Sequence, residues 1–167
     1  LHEAGHAAYD KFLDPALPYV VRTPSHTLMT EAIAMLMGRL ADDGDWLRAY
    51  VPGISESDLR TVNAAMEQRF RGQLLILSRW IPVMSHFERA LYTDPSQNLN
   101  DLWWDIEERL QMVPRPEGRH APDWAAKIHF SIAPVYYHNY LLGEMVASQL
   151  KHYIDSHVLA GGNGADF

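Results

Sequence analysis

An all-α, multi-helix fold is predicted by three observations. Apolar residues recur at helical spacing through several stretches, helix-capping residues precede them, and proline- or glycine-bearing segments separate them. Residues 2 to 13 read as the first helix, because Ala4, Ala7, Ala8, Phe12 and Leu13 keep that spacing up to the breaker Asp14-Pro15-Ala16-Leu17-Pro18. Ser25 is the expected N-cap of a second helix reaching about Leu40. Leu28, Met29, Ile33, Met35, Leu36 and Met37 make it apolar on nearly every side, the pattern of a buried helix, until the Asp42-Asp43-Gly44-Asp45 turn.

The segment Ser55-Glu56-Ser57-Asp58 resembles a capping box. Leu59, Val62, Met66, Phe70, Gln73, Leu74 and Leu77 then follow helical spacing towards Pro82, which should kink or divide the helix. Further helices are expected from Asn98 to Met112, around Asp123 to Lys127, and from about Val135 to Val158. A loop should cover Pro114 to Pro122, and Gly161-Gly162-Asn163-Gly164 should form a flexible end.

With 167 residues, 47% of them hydrophobic, the chain can bury the core of a single domain. Fourteen Lys and Arg against 21 Asp and Glu leave a net charge of -7, which argues against a nucleic-acid partner because phosphates would be repelled. The absence of cysteine means that any metal must be held by His, Asp or Glu. No membrane span is expected: the densest apolar run, Gly72 to Val83, falls short of the ~20 residues required and is broken by Gln73, Arg79 and Pro82. The chain opens on Leu1-His2 without methionine, directly on the metal motif, so it reads as a fragment of a longer chain, and targeting information is missing rather than negative.

The chemistry concentrates in His2-Glu3-Ala4-Gly5-His6. Two histidines four residues apart stand on one face of a helix and can grip one ion. Zinc held by neutral imidazole lowers the pKa of a coordinated water to about 7, and a neighbouring carboxylate, here Glu3, can take its proton. A catalytic zinc needs a third protein ligand and one open position. Glu31, a lone carboxylate in the apolar second helix, is the expected ligand, since coordination would explain a carboxylate there; the alternative is a glutamate at a helix end turned to solvent. On spacing alone, Tyr136, Tyr137 and Tyr140 are more often packing residues and His129 a structural one. Trp103 and Trp104 read as core or cleft wall, and His26, His120, His152 and His157 as surface.

In order along the chain, HEAGHAAYD, TEAIAMLMGRL, LWWDIEERLQMVPRPEGRHAPDWAAKIHF and PVYYHNYLLGE resemble the catalytic part of the angiotensin-converting-enzyme-like peptidyl dipeptidases. These are helical zincin-type peptidases distantly related to thimet oligopeptidases and thermostable carboxypeptidases. The resemblance implies a zinc cofactor on His2, His6 and Glu31, with Glu3 as general base. It implies that His129 and Tyr140 hydrogen-bond the substrate carbonyl as it becomes an oxyanion. Lys127 and Tyr137 match residues that hold the free C-terminal carboxylate of an oligopeptide, and Tyr136 competes with Tyr137 for that role.

Departures from the family pattern bear on regulation and support. Asn139 replaces an arginine linked to chloride activation, so no chloride dependence is expected. Met35 stands where an acidic partner of the site is usual, and Asp10 is a candidate substitute. The resemblance further implies that the N-terminal part of the parent enzyme completes the cleft, and that apolar surface left by it favours self-association. Two alternatives stay open: a catalytically incomplete helical module that acts structurally, and a zinc peptidase that removes single residues or cuts internally.

Overall fold

The computed structural model describes residues 1–159, so the glycine-rich stretch at 161–164 lies outside the described residues. All regular structure among them is helical, in line with the all-α expectation. The α-helices are α1 (His2–Lys11), α2 (Thr27–Gly38), α3 (Gly44–Tyr50), α4 (Glu56–Thr93), α5 (Leu99–Ile106), α6 (His129–Ile132) and α7 (His138–Tyr153). Short 3-10 segments at Tyr19–Val21, Arg39–Asp42 and Asp123–Ala126, and π turns at Glu107–Gln111 and Ile154–Val158, join or extend them. None of these helices is long and apolar enough to cross a membrane.

Contacts divide the chain into two compact units. Among the described residues, one comprises Leu1–Arg71 with 142–159, and the other Gly72–Leu141. The first is packed through small residues. Ala32, Ala34 and Ala147 are fully buried, and no residue from Thr27 to Leu40 is exposed. A Cβ on Gly5 would lie 2.6 Å from the Ala34 Cα, and one on Gly143 3.1 Å from the Glu31 Cβ. Glycine at these two points allows α1 and α7 to lie close against α2. Arg39 adds a polar tie, ion-paired with Glu144 and donating to the Ser148 hydroxyl at 2.7 Å.

The second unit is built on large side chains. Val83, Met84, Phe87, Trp103, Trp104 and Ile106 form its core, flanked by Trp80, Trp124, Phe130 and Tyr137. Phe87 meets Trp103 edge-on at 5.1 Å, an arrangement that suits the ring quadrupoles. Both tryptophans of the Leu-Trp-Trp motif are therefore core residues.

Several local expectations change. Pro82 does not divide α4, which runs unbroken over 38 residues. A proline inside a helix costs about 3 kcal/mol. Ile81, Val83, Met84 and Phe87 around it are 0–2% exposed, and burying each such side chain contributes about 1.5–3 kcal/mol, so burial outweighs the lost backbone bond. His26, not Ser25, caps α2, its Nδ1 accepting from the Leu28 N–H at 3.1 Å.

The capping box at Ser55 forms in both directions. Asp58 N–H donates to the Ser55 hydroxyl at 3.1 Å, and Ser55 N–H to the Asp58 carboxylate at 3.2 Å. The Ser55 hydroxyl, donating to the Asp58 carboxylate at 2.5 Å, and then the Ser55 N–H hold that carboxyl below the usual range. The Asp42–Asp45 turn also starts a helix that spacing did not reveal, α3, with Asp43 accepting from the Asp45 and Trp46 amides.

The phase of α1 differs as well. Ala4, Ala7 and Phe12 are exposed, Phe12 at 81%. Gly5 is buried, with His2, His6 and Tyr9 half-buried along the same face. The face that packs on α2 is the one that carries the imidazoles.

Candidate metal centre

In the first unit, the close approach of α1 to α2 brings His2, His6 and Glu31 together. Glu31 is 2% exposed. Its Oε2 lies 3.6 Å from His2 Nε2 and 3.8 Å from His6 Nε2, and one donor atom from each residue falls within 4.8 Å of the others. These gaps exceed an ordinary N–H···O hydrogen bond. Two tetrahedral ligands at 2.0–2.1 Å from one ion stand about 3.3 Å apart, so the two carboxylate–imidazole gaps need to close by only a few tenths of an ångström, while the imidazole donors, within 4.8 Å of each other, must turn further towards a shared zinc. The rings of His2 and His6 are 4.9 Å apart at 85°, an edge-on arrangement that lets both Nε2 atoms turn to one point. Among the described residues this is the group of three His, Asp or Glu with such convergence.

The Thr30 hydroxyl sits 2.8 Å from His6 Nδ1, which sets the ring so that Nε2 faces Glu31. Thr30 takes the orienting part considered for Asp10, which is exposed. Glu3 is exposed on α1, in the same turn as the two histidines.

The second unit gathers the other candidates. His129 opens α6, and its Nε2 lies 3.3 Å from the Tyr140 hydroxyl. The His129 ring also meets Tyr137 at 4.8 Å and Tyr136 at 6.0 Å. Tyr136 and Tyr137 each pack on Tyr140, at 5.3 and 5.1 Å. The Tyr137 hydroxyl accepts from the Trp80 indole N–H at 2.8 Å, and the Lys127 ammonium lies over the Trp80 ring at 4.9 Å and the Trp103 ring at 5.9 Å. Trp80 thus contacts both Lys127 and Tyr137. Nothing in its position within an apolar helical run signalled these contacts. The four histidines read as surface are all exposed.

Glu107, 7% exposed, lies near Lys127. Burial pushes its carboxyl above the ordinary value, and the Lys127 ammonium pulls partly the other way. A raised acid means that the folded state holds its proton more tightly than the unfolded chain does. Stability therefore falls as pH rises from the ordinary carboxylate range, about 4.3, through the raised value. Glu107→Gln should raise the melting temperature above that window, and the gain should shrink towards pH 4. Thermal melts across pH check this, and a gain equal at acidic and neutral pH would count against it.

Comparison with protein-family models, curated proteins and solved structures found no match for the chain.

Proposed function

We propose that this chain is the catalytic part of a zinc peptidase that hydrolyses oligopeptides and releases dipeptides from their C-termini. The convergence of His2, His6 and Glu31 carries the reading, because a two-histidine, one-carboxylate donor set of neutral and anionic nitrogen and oxygen suits zinc and leaves a fourth position open. A bound zinc ion supplies Lewis-acid polarisation of a carbonyl and a more acidic water.

The chain's own groups do the rest. A Glu3 carboxylate oxygen takes the proton of the attacking water and returns it to the departing amine. His129 Nε2 and the Tyr140 hydroxyl donate to the carbonyl oxygen as it gains charge, where one such donor is typically worth about 3 kcal/mol of barrier. Lys127 and Tyr137 hold the free carboxylate of the substrate, with Tyr136 beside them. The faces of Trp80 and Trp103 under the ammonium support Lys127 in that part, since they restrict a flexible side chain to one orientation. Exposed Phe12, Tyr19 and Val20, at 81%, 85% and 81%, support the docking of further polypeptide, either the rest of the parent or a second copy.

The test is Glu3→Gln in the full-length parent. Zinc content should match the wild type, while turnover of an unblocked peptide falls by at least about 100-fold, the lower end of what a general base contributes. A variant that keeps most of its activity would remove Glu3 from the mechanism. Equal cleavage of a C-terminally amidated peptide would remove Lys127 and Tyr137 from theirs.

A further inference from the structure

Between α6 and α7 the chain turns through Pro134-Val135, and Val135 adopts φ +56°. This left-handed conformation is rare for a β-branched residue, and turns that need it ordinarily use glycine or asparagine. Packing does not hold it there, because Val135 is 62% exposed. Its amide N–H, however, donates to Glu88 Oε1 at 2.7 Å, the short distance of a charge-assisted bond.

Glu88 belongs to α4 and is 6% exposed, set beside the unit's aromatic core. Its Oε1 is also 3.0 Å from the Tyr92 hydroxyl, which is itself 3.0 Å from the Phe130 carbonyl. The carboxylate therefore holds the connection directly at Val135, while the single Tyr92 proton is donated either to Glu88 Oε1 or to the Phe130 carbonyl. Phe130 follows His129, and Val135 precedes Tyr136 and Tyr137. The segment between those two points joins His129 to the helix that carries Tyr140, and the two side chains approach to 3.3 Å.

We propose that Glu88 is a positioning residue that holds Val135 in its left-handed conformation and so fixes the pairing of His129 with Tyr140. As a statement about transition-state donors this rests on the peptidase reading, and as a statement about geometry it does not. Glu88→Gln keeps the shape but replaces the anionic acceptor with a neutral one, weakening the restraint. Val135→Gly removes the strain the restraint opposes, so in the Glu88→Gln background it should restore the turn without the carboxylate.

Two readouts separate the parts. In the zinc-loaded full-length parent, Glu88→Gln should lower kcat by about tenfold or more with KM within about twofold, since the donors act on the developing oxyanion, and Val135→Gly should recover most of that loss. By NMR, the His129 ring resonances should move in Glu88→Gln and return in the double variant. Resonances unchanged in Glu88→Gln, or not returned by Val135→Gly, would overturn the assignment. If Glu88→Gln does not fold, the double variant decides: folded with wild-type His129 resonances supports it, unfolded overturns it. A wild-type parent that cleaves no peptide sinks the peptidase reading and leaves the resonances to judge Glu88.

Discussion

Glu31→Ala should lower zinc affinity by more than about 100-fold, the upper end of what is lost when a group that merely orients a ligand is removed. The alanine leaves His2 and His6 as a two-point site, and it removes the one anionic donor. Thr30→Val is the internal comparison. It deletes the hydroxyl 2.8 Å from His6 Nδ1 but no ligand, so its loss should fall in the 10- to 100-fold range. Competition titration against a chromophoric chelator measures both. Equal losses for the two variants, or an undiminished affinity in Glu31→Ala, would mean that Glu31 does not ligate the ion.

A second large effect is expected at Gly5. In Gly5→Ala the new methyl would meet the Ala34 Cα at 2.6 Å, and the Ala34 N and Ile33 O at 3.1 Å. These are backbone atoms, which cannot rotate out of the way, so α1 must move off α2. Overpacking of this kind costs about 1–3 kcal/mol, and a contact this short belongs at the upper end. The better helix propensity of alanine returns at most about 1 kcal/mol. The net should be a loss of about 2 kcal/mol, or about 4–8 °C in Tm. Zinc affinity should fall with it, because the imidazoles ride on α1 and the carboxylate on α2. Gly72→Ala in α4 is the control: nothing lies within 4 Å of its new methyl, and it should stabilise the protein by about 0.5–1 kcal/mol. Thermal melts of both variants decide the matter, and similar shifts of the same sign would contradict the close-approach argument.

What could be read from the sequence follows the range of the forces involved. Long helices announce themselves through repeated apolar spacing and local caps, and α2, α4 and α7 lie close to where that signal places them. Short elements carry too few turns to show a period, which is why α3 and α6 did not register. Pro82 does not divide its helix for the opposite reason, since its local penalty is plain while the burial that outweighs it comes from core residues elsewhere in the unit. The phase of α1 fails similarly. Alanines at helical spacing resemble a packing face until Gly5, with no side chain to register, proves to be the residue pressed against α2.

At the candidate centre, the grouping of His2, His6 and Glu31 was legible because the chemistry expected of a ligand set restricts residue type as well as spacing. Thr30, Trp80 and Glu88 were not. Each acts through a contact with a residue far along the chain, at separations of 24, 57 and 47 positions, and nothing in a neighbouring tripeptide encodes such a contact.

The glycine of α7 that backs Glu31 has a kinetic consequence. Its helix is tied to the 3-10 segment that follows α2 by Arg39 and Glu144, which are 105 positions apart, so this support is assembled only after a long chain closure. Contacts of such separation slow folding and tend to form late. A metal captured by a centre completed at that stage would leave the folding rate nearly unchanged and retard unfolding instead. Zinc would then act on the lifetime of the native state, and its addition should lower the unfolding arm of a denaturant chevron while the folding arm stays in place.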